Sequence, residues 1–371
     1  MAIIKRKKKQ SDMYHNSIRK IKEKEKPILG VDIGSSSIKI VAMKKNHVID
    51  KWVCESVPIG MLNQGIIEAK EPLVGIIKDV LKINKIKIKD CALYLSGKDL
   101  IIRELTFPKM DDLQIIENIK QEISSVLPQN LDEYKIDYKI LDYIKEEDAL
   151  EGQIRVLAVA APEKLIYSYM DVLKKAGLKV KYVDVLPNIA GKLCNLIHSE
   201  RSNDKPNNTC IIDFGAKATE VMIFRDCNYF LHKSISYGGG YLTETISQRS
   251  DMDEADAEEF KHNTNFFGGD LDDPIVRAVY DYFDYLIRDF ARTIEFYGNR
   301  TQESVDVIYV MGGGSLLKGL PGYLESQLGI KVKEIGEVIR TTTKADALGS
   351  YASILPQAIG VTLREEWRRE R

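Results

Sequence analysis

The stretch ILGVDIGSSSIKIVAM, Ile28–Met43, decides the fold. Its first half is apolar and β-branched, as a strand buried on both faces should be. It reaches Asp32 and Gly34, passes through Ser35, Ser36 and Ser37, and resumes as a second strand carrying Lys39. The small residues demand a tight turn, so the segment reads as a hairpin. Glycine and small side chains at such a turn let backbone N–H groups approach phosphate oxygens. The serines add hydroxyl donors, and Lys39 adds positive charge. One such turn is weak evidence, because Asp-x-Gly turns are common.

The pattern returns a whole domain later. CIIDFGAKATEVMIFRD, Cys210–Asp226, is again an apolar strand, an Asp-x-Gly turn (Asp213, Gly215) and a second strand that begins near Thr219. Two lobes, each opening with a hairpin, would face their turns to one another. Asp32 and Asp213 would then hold Mg²⁺ through water, since that ion sheds its waters reluctantly. A third motif, MGGGS at Met311–Ser315, ends an apolar strand and leads toward a helix. Its glycines allow close approach of an adenine ring and sugar. Gly314-SLLK-Gly319 is a near miss to a P-loop, but Leu320-Pro321 follows where Lys-Ser/Thr should stand, so that reading is rejected.

The chain has 371 residues and a net charge of −1, which hides an asymmetry. Residues 1–26 hold ten basic and three acidic side chains, leaving the body at −8. The arm has no clean apolar stripe and reads as disordered. Anionic lipid is a candidate partner for it. The acidic body has no basic patch with interleaved aromatics, which counts against nucleic acid. No apolar run approaches the ~18 residues of a membrane span, and SDMYHN stands where a secretory signal would need its apolar core. The five cysteines, Cys54, Cys91, Cys194, Cys210 and Cys227, show no close pairing in sequence and read as reduced core residues of a cytosolic protein. The histidines show no ligand spacing, so no zinc site is expected.

Between the hairpins, Glu71–Asn84 reads as a helix, and CALYLSG and LIIRELTFP as a strand pair. DDLQIIENIKQEISSVLP reads as a helix capped by Asp111 or Asp112 and followed by Pro128. YKIDYKILDYI and IRVLAVAAP are strands, and a helix from Pro162 to Gly177 follows. KVKYVDV is a strand and Pro187–His198 a helix. The polar RSNDKPNNT marks the boundary between lobes. Beyond the second hairpin come a helical stretch from about Asp253 to Arg300, strand VDVIYVM, helix Gly319–Leu328, strand KVKEI and a closing helix from about Lys344 to Arg364.

The three motifs, in this order, resemble the actin superfamily. The resemblance implies an α/β, actin-like (ribonuclease H-like) two-lobed ATPase fold. Asp32, Ser35 and Lys39 fall on the metal, phosphate-hydroxyl and phosphate-lysine positions of its first phosphate loop, with Gly34, Ser36 and Ser37 beside them. Asp213, Gly215 and Thr219 match the second phosphate loop, and Gly313, Gly314 and Ser315 the adenosine loop. The chain is more closely similar to the PilM family, and behind it to FtsA. ELTFPKM, VLP and DEYKIDYKIL resemble that group's inserted subdomain 1C, and VLAVAAPEKLIYSYMDVLKKAGLKVKYVDV its return into subdomain 1A. ISYGGGYLTETIS, with Gly239, and AEEFK at Ala257–Lys261 resemble its Gly-Gly turn and Ala-Glu-x-x-Lys helix, which would place Glu258 on the ribose and Lys261 near the adenine. ILPQAIGVTLR resembles its last helix. The likeness runs from about Pro27 to Arg364.

It implies a domain order. After the arm come 27–88 (first part of 1A), 89–178 (1C), 179–203 (1A again), 204–240 (2A), 241–300 (2B) and 301–338 (2A again), with 339–371 closing back on 1A. Where actin has a second acid in its second phosphate loop this sequence has Ala216, no Gln opens the helix Pro187–His198, and Lys217 in the loop is unusual. Phosphoryl transfer needs a positioned water or base, so ATP with Mg²⁺ should bind firmly and turn over slowly. The resemblance further implies a scaffold of type IV pilus assembly at the cytoplasmic face of the inner membrane. Its partner would be the cytoplasmic tail of a PilN-like membrane protein in a groove between 1A and 1C, beside other pilus assembly components. Self-assembly through 1C is the competing role for that subdomain. An FtsA-like division protein would end in an amphipathic membrane helix, which REEWRRER is too short and polar to supply. A small-molecule kinase of the same superfold would need a base Asp in a glycine-containing loop of the first lobe, and none stands out.

Overall fold

The computed structural model describes residues 26–44, 47–126, 130–144, 152–198, 207–343 and 345–363. The basic arm up to residue 25, most of RSNDKPNNT, Pro128 and REEWRRER lie outside them.

β1 (Ile28–Ile33) and β2 (Ser37–Met43) form the first hairpin, with Asp32 opposite Lys39. β3 (Ile49–Ser56) adds antiparallel to β2. A two-residue ribbon, β4 (Leu62–Asn63) and β5 (Ile66–Ile67), leads into α1 (Lys70–Ile83). β6 (Asp90–Tyr94) then returns parallel to β1. Next comes a separate three-stranded sheet: β7 (Ile101–Pro108), α2 (Asp112–Ser124), β8 (Tyr134–Ile144) and β9 (Gln153–Pro162), in the order β7-β9-β8. α3 (Glu163–Lys175) and β10 (Lys179–Asp184) rejoin the first sheet, completing the order β10-β6-β1-β2-β3. α4 (Leu186–Ile197) crosses to the second lobe.

There β11 (Asn208–Phe214), β12 (Thr219–Arg225) and β13 (Asn228–Ile235) repeat the opening meander. α5 (Gly239–Ser250), α6 (Glu254–Asn263) and α7 (Pro274–Thr301) follow. β14 (Val307–Met311), a 3₁₀ turn at Gly313–Leu316, α8 (Leu320–Leu328) and β15 (Lys331–Glu334) complete a sheet ordered β13-β12-β11-β14-β15. The chain closes with α9 (Ile335–Thr343), a kinked 3₁₀ segment at Asp346–Ser353 and α10 (Pro356–Gly360). The two five-stranded sheets share one topology. In each, an antiparallel meander is joined on its first strand by two parallel strands, as the paired hairpin motifs predict.

Each lobe has its own apolar core, and a third core joins them along α4, α9 and α10. α4 is buried nearly all round. Even its Lys192 is buried, with Nζ 2.8 Å from Asp184 Oδ2 and donating to Leu363 O at 2.9 Å. α10 lies directly on β1, so that a Cβ at Gly30 would stand 1.8 Å from Ala358 O. In the inserted sheet, Asp111 is the cap of α2: its side chain accepts from Gln114 N while Gln114 Oε1 accepts from Asp111 N.

Three expectations are corrected. CALYLSG and LIIRELTFP are not a strand pair. Cys91, Ala92 and Leu93 are wholly buried, which suits a central parallel strand, and β6 pairs with β1 and β10 while β7 pairs with β9. Within the segment 89–178, the inserted sheet and its helix span 101–162. β6 and α3 pack with the first lobe, where Tyr169, Val172 and Leu173 of α3 join its core. The helical stretch 253–300 breaks at 264–273, where Gly268 takes φ +90° and Pro274 restarts the helix. The closing stretch is likewise not one helix: Gly349 at φ +54° and Pro356 divide it.

Candidate functional site

The two Asp-x-Gly turns are built alike. Gly34 N donates to Ser37 O and Gly215 N to Ala218 O, both at 3.0 Å. Each holds its aspartate at the buried end of a central strand. Lys39 Nζ lies 3.1 Å from Asp32 Oδ2. Burial disfavours the Lys39 charge, but the adjacent Asp32 carboxylate outweighs it and the ammonium pKa is raised. Asp213 Oδ2 accepts from Gln357 Nε2 of α10 at 2.6 Å. Asp213 Oδ1 and Gln357 Oε1 are buried with no hydrogen-bond partner among the described residues. Burial, then the nearby Glu220 carboxylate, push the Asp213 carboxyl up to about 7, against the pull of Lys39 and Gln357. Lys39 and Asp32 act on Asp213 from the opposite lobe, so the hairpins face one another. Between them stands Tyr94, beside Asp32 in the sheet register, its hydroxyl held neutral by burial and by the fields of Asp213, Asp32 and Glu220.

The expected site residues divide into those that face this cleft and those that hold its walls. Gly34 and Ser35 are half-buried at the first turn, Ser36 is exposed and Ser37 O closes the turn. Thr219 is fully buried and its hydroxyl donates to Tyr237 O at 2.8 Å, so it anchors the second hairpin. Gly239 N and Gly240 N donate to Gly215 O and Ala216 O, both at 2.9 Å, which seats the start of α5 on the second turn. Lys217 is exposed.

Glu258 and Lys261 form a network rather than two separate contacts. Lys261 Nζ is 2.5 Å from Glu258 Oε2, 2.7 Å from Thr243 Oγ1 and 3.2 Å from Gly239 O, and the lysine is only 2% exposed. It ties α6 to α5, and its three donors meet protein oxygens. Glu258 is half-exposed and lies 3.0 Å from His262 Nε2. Burial raises its pKa, but hydrogen bonds from His262, Lys261 and Thr243 outweigh that and hold it down at about 2. A depressed carboxylate contributes stability that is full above its ordinary 4.5 and is lost as pH falls toward 2. Glu258→Ala is therefore expected to flatten the acid limb of a melting-temperature profile between pH 5 and 3, relative to the parent. Parallel limbs would remove Glu258 from the network.

The glycine run also divides. Gly312, at φ +87°, admits no side chain, because a Cβ would stand 2.4 Å from Asp213 Oδ1. A Cβ on Gly314 would meet Phe214 Cβ at 2.8 Å. Ser315 is buried and donates to Gly312 O at 2.7 Å. Gly313 alone looks onto open space. Gly312 and Gly314 thus let the loop pack on the second hairpin, and Gly313 is left facing open space.

Two residues of the site escaped sequence reading. Glu220 sits opposite Asp213 across β11–β12, where Lys39 sits opposite Asp32. The seven-residue spacing common to both hairpins could have found it. It lies 2.7 Å from His232 Nε2 and accepts from Ser234 Oγ at 2.9 Å. Gln357, 144 residues from Asp213, carries no local signal.

Comparison with known proteins agrees with this architecture. A family model described as type IV pilus assembly protein PilM matches residues 30–366. Among solved structures, the chain is similar to a PilM-PilN type IV pilus biogenesis complex at 25% identity and a TM-score of 0.76, covering 90% of this chain and 97% of that one. It is also similar to the ethanolamine utilization protein EutJ from Carboxydothermus hydrogenoformans, with 13% identity, TM-score 0.53 and coverage of 91% and 89%. MreB 5 of Spiroplasma citri bound to AMPPNP matches at 13% identity, TM-score 0.50 and coverage of 88% and 97%. The last two matches show the fold, which is actin-like.

Proposed function

This chain belongs to the family of the type IV pilus assembly protein PilM, and from that premise we propose that it is an ATP-binding scaffold at the cytoplasmic face of the inner membrane, on which the tail of a PilN-like membrane protein docks. The observation that carries the nucleotide half is the convergence of two matched Asp-x-Gly turns on one cleft. Their backbone amides, Ser35 and Lys39 would hold the phosphates, and Gly313 would admit the adenosine. The donor set also fits Mg²⁺. Asp213 Oδ1 is a buried carboxylate oxygen in want of a partner, and Asp32 faces it from the other lobe. The metal, when bound, would neutralise phosphate charge between these two carboxylates.

Turnover should be slow. Ala216 offers no base, and Glu220 is engaged by His232 and Ser234. Nothing on the second turn is left to position an attacking water. The nucleotide then acts as a ligand that holds the lobes together.

The tail has a suitable cleft. It lies between β8 of the inserted sheet, α4 and the β12–β13 turn, and is lined by Lys139, Leu141, Asn188, Asn195, Asn228 and Tyr229. Its walls are pinned: Lys139 Nζ donates to Asn188 Oδ1 at 3.1 Å, and Arg155 of β9 donates to Tyr229 O at 3.1 Å. The exposed Asn228, beside Leu141, would offer a side-chain amide to the backbone of an extended peptide. The acidic body would steer a basic tail toward it, with salt dependence. The test is a titration of a fluorescent peptide from the cytoplasmic tail of the adjacent single-pass membrane protein. Saturable micromolar binding is expected, unchanged when residues 1–26 are removed and weakened by Leu141→Arg. Binding that disappears with the arm, or that ignores Leu141→Arg, would place the tail elsewhere.

A further inference from the structure

The cysteines do not keep the isolation that their sequence spacing suggested. Cys194 lies on α4 and Cys227 in the turn between β12 and β13, yet their Sγ atoms are 2.8 Å apart. His198 follows Cys194 by one helical turn on the same face and caps α4. The ligand atoms of Cys194, His198 and Cys227 all lie within 4.8 Å of one another. Two thiols and an imidazole converge from different lobes, which no local ligand spacing could have shown.

The turn that delivers Cys227 is itself unusual. Asp226 and Cys227 take φ +49° and +60°, the two successive left-handed positions of a tight hairpin turn. The second such position favours glycine, because a Cβ there is strained. A cysteine held in that conformation, aimed at a second thiol and a histidine, has a reason beyond closing the hairpin. Cys227 is also half-buried and lines the cleft described above, so the cluster is reached from solvent on one side. On the other side it is enclosed. Tyr309 packs edge-on to the His198 ring at 6.4 Å, and Thr209 Oγ1 lies 3.3 Å from His198 Nε2. A ring with a hydrogen-bonding neighbour is held in orientation, as ligating histidines are.

We propose that Cys194, His198 and Cys227 form a binding site for one thiophilic divalent cation, with Zn²⁺ the ion that a donor set of two thiolates and one imidazole suits and with its fourth position turned toward the cleft. On ligation each thiol releases its proton to solvent and the two Sγ atoms part from their 2.8 Å contact to ~4 Å, the separation that two Zn–S bonds of about 2.3 Å set at a tetrahedral angle, with no redox step involved. The ion joins α4 to the β12–β13 turn of the second lobe, beside the cleft assigned to the tail. The site stands apart from the nucleotide turns, and its ligation does not depend on either ligand of the proposed function.

The test uses the full chain, reduced and stripped with a chelator. Zn²⁺ is titrated against a chromophoric chelator, and Co²⁺ serves as a spectroscopic probe. One equivalent per chain is expected, with a thiolate-to-cobalt charge-transfer band and a rise in melting temperature. Cys227→Ser, at the exposed end of a hairpin, should weaken binding by at least about a hundredfold, more than loss of an outer-sphere contact. His198→Gln provides a second variant should the first misfold. The proposal is overturned if the wild type binds no stoichiometric Zn²⁺. It is equally overturned if both variants bind as the wild type does, or if Cys194 and Cys227 are recovered as a disulfide that persists in the presence of Zn²⁺.

Discussion

Gly30→Ala is expected to destabilise the protein by at least ~3 kcal/mol, the upper end of overpacking costs. The conflict is with backbone, since the new Cβ would stand 1.8 Å from Ala358 O and 2.7 Å from Thr362 Cγ2. A flexible side chain could swing away, but a carbonyl in α10 moves only if the helix moves. α10 is in turn wedged against α4, where a Cβ at Gly360 would stand 2.6 Å from Ile189 Cγ2. Lifting α10 would also withdraw Gln357 from Asp213 and open the core that joins the lobes. Chemical denaturation of the variant should show a large fall in midpoint, with a weakened response to nucleotide. Gly313→Ala is the contrast: it meets no atom within 4 Å, so its stability should match the parent while nucleotide affinity falls. A Gly30→Ala protein as stable as the parent would mean that α10 is not seated on β1.

The second large effect has opposite signs in the two states of the protein. Without nucleotide, Asp213→Asn should be more stable than the parent by on the order of 2 kcal/mol above pH 7. Burial and Glu220 raise the Asp213 pKa from 3.8 to about 7. A raised carboxyl contributes stability below its unfolded value and loses it as pH rises through the folded one. The advantage of asparagine should therefore vanish near pH 4 and grow through pH 7. An amide at this position also offers the donor that Gln357 Oε1 lacks. With Mg²⁺ and ATP present the order reverses, because the carboxylate that burdens the apo protein is the one facing the cation. Denaturation at pH 5 and 8, with and without Mg²⁺-ATP, reads all four values. A variant that is destabilised at pH 8 without nucleotide would show that the carboxylate is not a burden.

What the sequence made legible follows from how local each feature is. The hairpins at Asp32 and Asp213 were readable because an apolar run, an Asp-x-Gly turn and a second strand are contiguous. α1, α2, α3 and α4 were readable from apolar spacing and their end signals. The partner of β6 was not, because a short buried strand carries no mark of which sheet it enters. The breaks at 264–273 and at Gly349 lay in segments whose glycines and prolines were outweighed by surrounding helix formers. In the site, Asp32 and Lys39 were found because they are opposed across one hairpin. Gln357 and the Cys194–Cys227 meeting were not, since both depend on α4 and α10 binding the two lobes together. The resemblance places Thr219 on the second phosphate loop and Lys261 near the adenine, and the structure adds that their polar atoms are engaged by Tyr237 O and by Gly239 O, Thr243 and Glu258. Family likeness marks positions, and only packing shows which atoms are left to meet a ligand.

The most direct test of the account is the melting temperature of nucleotide-stripped protein with and without Mg²⁺-ATP. A ligand held only by the folded state stabilises by mass action, by about 2.7 kcal/mol at a hundredfold excess over its dissociation constant. The account predicts a clear rise that requires Mg²⁺ and is lost in Asp32→Ala. A melting temperature unmoved by saturating Mg²⁺-ATP would contradict it.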